Sequence, residues 1–245
     1  MISSDTDVIV ALLYHMPVFL KENLKELWVR AGVGDSTRYV PLHTLYDRLG
    51  SNLCSVLPAV HSLTGCDMTS KVGTKKAALK AKPEKLLKQF EVLPTLSPPI
   101  IGDAEQYLVK VVRSGSETKN FSDMRAEVFH QTKASSHRNL PPTSQGLLPH
   151  TKRSYYNAYT IMHALEVHHD PEHVISLRPD DCGYKYEKEE LIPETSWKTL
   201  ETHWTVVCTC TKCTRATCLC RTAETNCVNF CQCKKVLPHS CKNPL

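Results

Sequence analysis

Nowhere in this chain of 245 residues do apolar residues run for the roughly 18 positions a bilayer-spanning helix needs, so no membrane segment is expected. The first residues also lack an apolar leader of the secretory kind, so an oxidising compartment is not implied. Strong charge of either sign is missing too. The formal net charge of +5 is mild, compatible with a nucleic-acid partner without requiring one. The sharpest deficit is local: after Cys208 little that is apolar remains, chiefly Val228, Phe230, Val236 and Leu237. Such a segment cannot close on a hydrophobic core, and either disulfides or metal must tie it down.

What that segment has instead is cysteine. Nine of the chain's twelve fall here: Cys208, Cys210, Cys213, Cys218, Cys220, Cys227, Cys231, Cys233 and Cys241. The spacing is C-x-C-x2-C-x4-C-x-C-x6-C-x3-C-x-C-x7-C. An odd count and adjacent C-x-C pairs suit disulfide geometry poorly. Zinc suits them better, because nine thiolates fill the coordination places of three tetrahedral ions when three of the nine bridge two metals. Charge agrees. Lys212, Arg215, Arg221, Lys234, Lys235 and Lys242 stand against Glu224 alone, enough to offset the residual negative charge of such a cluster. Zinc-type cysteine usage points to a reducing interior, cytosol or nucleus.

The two C-x-C halves, the C-x6-C-x3-C-x-C run and the closing Cys241-Lys242-Asn243 resemble the CXC zinc modules of tesmin/TSO1-type proteins over residues 206 to 243. The spacing around Thr211-Lys212 and before Cys241 departs from that pattern. The resemblance implies a nine-cysteine, three-zinc module, a duplex-DNA partner and a nuclear location.

At the other end, S-D-T-D-V-I-V-A-L-L sets Asp5 and Asp7 beside a β-branched apolar run, which reads as a buried parallel strand with both acids on one face. Leu20, Leu24 and Leu27 have helical spacing, while Leu27 to Ala31 and Arg38 to Leu42 read as a hairpin around Gly32-Val33-Gly34-Asp35. Two helices follow, from His43 to Leu49 and from Leu53 to Leu63, with Ser51 or Asn52 as N-cap of the second. Beyond L-T-G-C-D, a turn at Gly73 opens a lysine-bearing helix. Its backbone N–H groups, with Lys75 and Lys76, could meet a phosphate, or the lysines could form a solvated face.

Taken together, S-D-T-D, G-C-D and V-G-T-K-K-A resemble the second half of flap-endonuclease (XPG-like) 5′ nucleases, a branch of the PIN-like fold. The resemblance implies Asp5, Asp7 and Asp67 as Mg2+ ligands and Gly73, Lys75 and Lys76 as a grip on duplex phosphates. Further carboxylates come from an N-terminal half in that family, and this chain opens at the S-D-T-D motif. Three aspartates can hold one magnesium with waters, whereas the two-metal chemistry needs more. A truncated domain, inactive alone and with a central strand needing a protein partner to complete its sheet, is therefore expected.

The expected organisation is an incomplete α/β PIN-like domain over 1–90, a Pro-rich linker over 91–102, a helical segment over 103–170, a loop-rich linker over 171–205 and the zinc module over 206–245. Asp103 to Arg113, with an Asp N-cap, and Ser122 to Gln131 read as short helices. A longer helix runs from Pro141 through Leu165, interrupted by Pro149, with Tyr155, Tyr156, Tyr159, Met162 and Leu165 on a face that reads as core. His163, His168, His169 and His173 read as surface histidines. The order of parts is similar to repeated, mobile-element-associated proteins of animal genomes. Three functions follow: a zinc-binding, nucleic-acid-associated protein with an inactive nuclease-like piece, a Mg2+-dependent nuclease completed by another segment, or a fragment without function.

Overall fold

The computed structural model describes residues 1–3, 5–91, 96–132, 140–165 and 177–194, and in the C-terminal region 208–211, 213, 218–224, 227, 231–236 and 243. The chain divides into two units, one of residues 1–120 and 144–196, the other of residues 121–143 and 197–245. The architecture is mixed, helices with two small antiparallel sheets and a cysteine-rich C-terminal cluster.

The apolar run after S-D-T-D is a helix, α1 (Thr6–Tyr14), and this corrects the expected strand. Asp5 decides the matter as N-cap, its carboxylate accepting the Asp7 backbone N–H at 2.9 Å. Apolar residues occupy both faces of the run, so neither period could be read from it; the helix buries Val10 and Leu13. Extended backbone lies just before it. Ile2 bridges Arg30 in parallel, with Ser3 N–H donating to Arg30 O at 3.0 Å and Arg30 N–H to Met1 O at 2.9 Å.

Helix α2 (Met16–Lys21) leads to the hairpin of β1 (Trp28–Ala31) and β2 (Arg38–Pro41), antiparallel with Trp28 opposite Pro41. Gly32 makes its turn at φ +84°, where a Cβ would sit 2.3 Å from Ser36 O. Then come α3 (Leu42–Leu49) and α4 (Ser51–Thr64), joined by Gly50 at φ +82°. Gly50 itself is the N-cap of α4, so Ser51 and Asn52 fall inside the first turn instead of capping it. Leu13, Met16, Val29, Leu42 and Cys54 form the core that gathers these elements.

Helix α4 is the axis of this unit, packed between α1 and the later α8 (Ser144–Met162) and buried almost continuously from Val56 to Thr64. Helix α5 (Lys75–Lys80) is short and capped by the Thr74 hydroxyl. Helix α6 (Pro98–Val112) starts earlier than expected because Pro98 and Pro99, read as linker, occupy its first two positions, where a missing N–H costs nothing. Asp103 is thus internal and not a cap. In α8, Pro149 is carried inside the helix and Tyr155 is buried, packed edge-on to Phe90 at 5.1 Å between centroids. The acidic stretch expected as loop contains β3 (Tyr184–Glu187) paired with β4 (Glu190–Pro193). Lys188 and Glu189 both adopt positive φ in the two-residue turn; without an Asn-Gly signature there, the sequence gives no hairpin cue.

The other unit holds α7 (Phe121–Thr132), whose Ala126 packs with Leu140, and two short helical turns, α9 (Leu219–Thr222) and α10 (Gln232–Val236), among the cysteines.

Candidate metal centre

Among the described residues, the buried core of the C-terminal segment is made of cysteine alone: Cys208, Cys213, Cys218, Cys220, Cys231 and Cys233, with Cys210 and Cys227 partly buried against them. Short helical turns present these thiols. Cys218 is the N-cap of α9, which carries Cys220, and α10 carries Cys233. Gln232 N–H donates to Cys208 O at 3.0 Å, drawing the first C-x-C toward the last. Cys213 turns the chain at φ +51°.

All of these cysteines are free thiols. Cys208 Sγ lies 3.4 Å from Cys213 Sγ, 3.8 Å from Cys227 Sγ and 4.0 Å from Cys233 Sγ, and Cys213 and Cys227 are 3.6 Å apart. A tetrahedral zinc with bonds of ~2.3 Å sets its sulfurs ~3.8 Å apart, so the spacing fits a tetrathiolate site. Three such groups occur: Cys208, Cys213, Cys227 and Cys233; Cys208, Cys220, Cys227 and Cys231; and Cys208, Cys210, Cys213 and Cys218. The groups share members, Cys208 belonging to all three. Cys241 lies outside the described residues.

Electrostatics points the same way. Burial pushes the Cys208 and Cys213 thiols far above the ordinary thiol range and Cys220 up to about 12. Cys218 differs. Burial raises it, but the Arg221 backbone N–H and neighbouring thiols outweigh that and bring it down to about 7. Crowded, buried thiols such as Cys208, Cys213 and Cys220 stay protonated in isolation and become thiolates when a divalent cation enters. The C-terminal cluster can therefore bind zinc.

The other sequence-derived residues lie in the first unit. Asp5 is exposed and spends its carboxylate on the α1 cap, and Asp67 is exposed in the turn after Gly65. Asp7 turns instead to His61 of α4 and hydrogen-bonds its Nε2. Among the described residues, Asp5, Asp7 and Asp67 do not converge into one ligand group. Gly73 takes φ +68° and lies against α6, where a Cβ would meet Val111 Cγ1 at 2.5 Å. Lys76 is exposed. Lys75 reaches inward, its ammonium donating to Gly65 O at 2.7 Å, Thr64 Oγ1 at 3.0 Å and His61 O at 3.2 Å. It thereby closes the C-terminal end of α4, where carbonyls lack helical partners. Of the expected histidines, His163 is described; its ring stacks on Tyr159 at 3.8 Å. His168, His169 and His173 lie outside the described residues.

Sequence reasoning did not single out His61. The structure brings it together with Asp7 and Cys66, three potential ligands mutually within 4.8 Å. A histidine on a helix without charged residues, followed at H-x4-C by the cysteine of L-T-G-C-D, was the available signal. Comparisons with protein-family models, curated proteins and solved structures find no match for this chain.

Proposed function

We propose that this chain is a zinc-binding, nucleic-acid-associated protein whose C-terminal cysteines hold three zinc ions beside an inactive PIN-like piece. The interlocking of the thiol groups carries the reading. The three groups draw all their ligand places from eight cysteines only by using Cys208 three times and Cys213 and Cys227 twice. A thiolate bridges two metals, not three. When Cys241 relieves Cys208 of one place, three cysteines bridge and six are terminal, the composition that three zincs and nine thiolates require.

The nucleic-acid role is supported by the CXC-like spacing and by lysine abundance, with Lys76, Lys80, Lys82, Lys85 and Lys88 exposed on one stretch of the first unit. The PIN-like reading is supported by the order of the S-D-T-D and G-C-D motifs and by the parallel bridge between Ile2 and Arg30. Inactivity is supported by the scatter of Asp5, Asp7 and Asp67, since magnesium needs several oxygen ligands on one point.

Native mass spectrometry under reducing conditions, with and without Cys241→Ser, tests the zinc count. At least three zinc ions in the parent, with loss or weakening in the variant, are the expected result; a parent without zinc overturns the reading. Duplex-DNA titration over a salt series tests the partner. Affinity must fall as salt rises if phosphates are neutralised, and no measurable binding at low salt refutes this half of the proposal.

A further inference from the structure

Three side chains of the first unit meet where α1, α4 and the turn after α4 converge. Asp7 comes from the first turn of α1, His61 from the last turn of α4, and Cys66 from the Cys66–Thr69 turn. Oxygen, nitrogen and sulfur ligand atoms lie mutually within 4.8 Å, with His61 buried and Asp7 and Cys66 half-buried. We infer that Asp7, His61 and Cys66 form a mononuclear site for a zinc-class divalent cation, separate from the C-terminal thiols and with its fourth position open.

The surroundings are those of a held ligand set. Asn157 of α8, buried, donates through Nδ2 to Cys66 Sγ at 3.4 Å and to Ser62 Oγ at 2.9 Å. The Thr69 hydroxyl lies 3.3 Å from the same sulfur and is itself fixed by donating to Ser62 O at 2.6 Å. The Asn157 amide N–H donated to the sulfur suits a thiolate, and outer partners of this kind orient metal ligands. Lys75 Nζ has three protons for the oxygens of Gly65, Thr64 and His61, so its contact with His61 Nδ1, at 3.4 Å, is the longest of four. His61 is therefore not needed as an acceptor, and its proton can reside on Nδ1 while Nε2 binds metal.

Binding is balanced in charge and protons. The Cys66 thiol proton goes to solvent, the imidazole proton of His61 moves from Nε2 to Nδ1, and the Asp7–His61 hydrogen bond is replaced by two bonds to the ion. All three ligand types are ordinary for zinc, and three protein ligands with one open place is the arrangement that admits an exogenous ligand. Cys66 also belongs to the wall of a cavity of about 250 Å3, which Lys71 and Lys75 line as well. The two cations favour water-derived hydroxide or a small anion at the fourth position.

This inference stands apart from the C-terminal reading, and its test separates the two. The full chain is loaded with zinc under reducing conditions and counted by native mass spectrometry. Cys66→Ser and His61→Gln should each carry one zinc fewer than the parent, while Cys54→Ala, a core cysteine away from the cluster, keeps the parental count. Equal counts in all four proteins overturn the site. Because a variant can lose its fold, the parent is also loaded with 113Cd and its cadmium resonances recorded. One resonance from a mixed oxygen–nitrogen–sulfur site, retained when Cys208→Ser and Cys233→Ser remove tetrathiolate metal, supports the proposal, whereas only tetrathiolate resonances in the parent refute it.

Discussion

Replacing Lys75 with methionine keeps the length and apolar stem of the side chain and removes the ammonium alone. In the native unit that group donates to three oxygens at 2.7, 3.0 and 3.2 Å around the end of α4. Burial lowers its pKa, and the nearby Cys66 and Asp7 offset only part of that, so the ammonium depends on its three oxygen acceptors. A hydrogen bond involving a charged group contributes ~1.5 to 3 kcal/mol when shielded. The stem is exposed, and water takes over part of the lost bonding, so the net cost of Lys75→Met should be about 1 to 2 kcal/mol. Lys76→Met, on an exposed neighbour, should stay within about 0.5 kcal/mol of the parent. Urea unfolding followed by far-UV circular dichroism reads both, with midpoints shifted and slopes unchanged. In a DNA titration, Lys76→Met should reduce the salt slope and Lys75→Met should not. Equal stability of the two variants, with the salt slope falling only for Lys75→Met, would refute the inward role and restore Lys75 as a phosphate contact.

Chelation should release the C-terminal cysteines to limited proteolysis, because no apolar side chain is described in that thiol core, while the helical unit keeps a cooperative urea transition whose midpoint falls only by the loss of the ion at Asp7, His61 and Cys66. Gly65→Ala should be severe, about 2 to 4 kcal/mol by urea midpoint, since Gly65 has φ +105° and a Cβ would lie 2.6 Å from Lys71 Cα, backbone that cannot step aside. His150 is buried, donates from Nε2 to Leu63 O at 2.9 Å and leaves Nδ1 without a partner, so a second proton has no acceptor. Burial, and then Arg153, lowers its pKa despite the Leu63 carbonyl. Below about pH 6.5 the unfolded chain takes a proton that the folded chain refuses, and stability should fall by up to ~1.4 kcal/mol per pH unit until the folded-state pKa is reached. His150→Gln should flatten that slope in urea midpoints between pH 7 and 5.5, and an identical slope in both proteins would dismiss it.

The cysteine cluster was legible because thiol spacing in a segment poor in apolar residues leaves metal as the remaining organiser, and the grouping of Cys208 with Cys213, Cys227 and Cys233 follows that logic. The β1–β2 hairpin was legible from Gly32 and its flanking strands. Helix α1 was not, because Val8 to Leu13 is apolar on every side and a β-branched run imitates a strand; the deciding residue was Asp5, whose acid looked catalytic and acts as a cap. Lys75 was misdirected for a related reason. Sequence places it at the start of a basic helix, but only the fold brings it beneath the carbonyls of residues 61 and 65. The meeting of His61 with Asp7 depends on packing across 54 positions, which no local pattern reports.

The division of the chain carries a consequence for its birth. Helix α7 belongs with the cysteine-rich end, yet residues 144–196, about fifty of them, belong to the other unit and come between. At roughly 5 to 20 residues per second of synthesis, α7 leaves the ribosome some 3 to 10 s before its partner segment begins to emerge. The helical unit in turn cannot close until α8, which flanks α4, has been made. Each half thus waits on a piece of chain synthesised after the other has started, and the nascent protein presents unfinished surfaces from both at once.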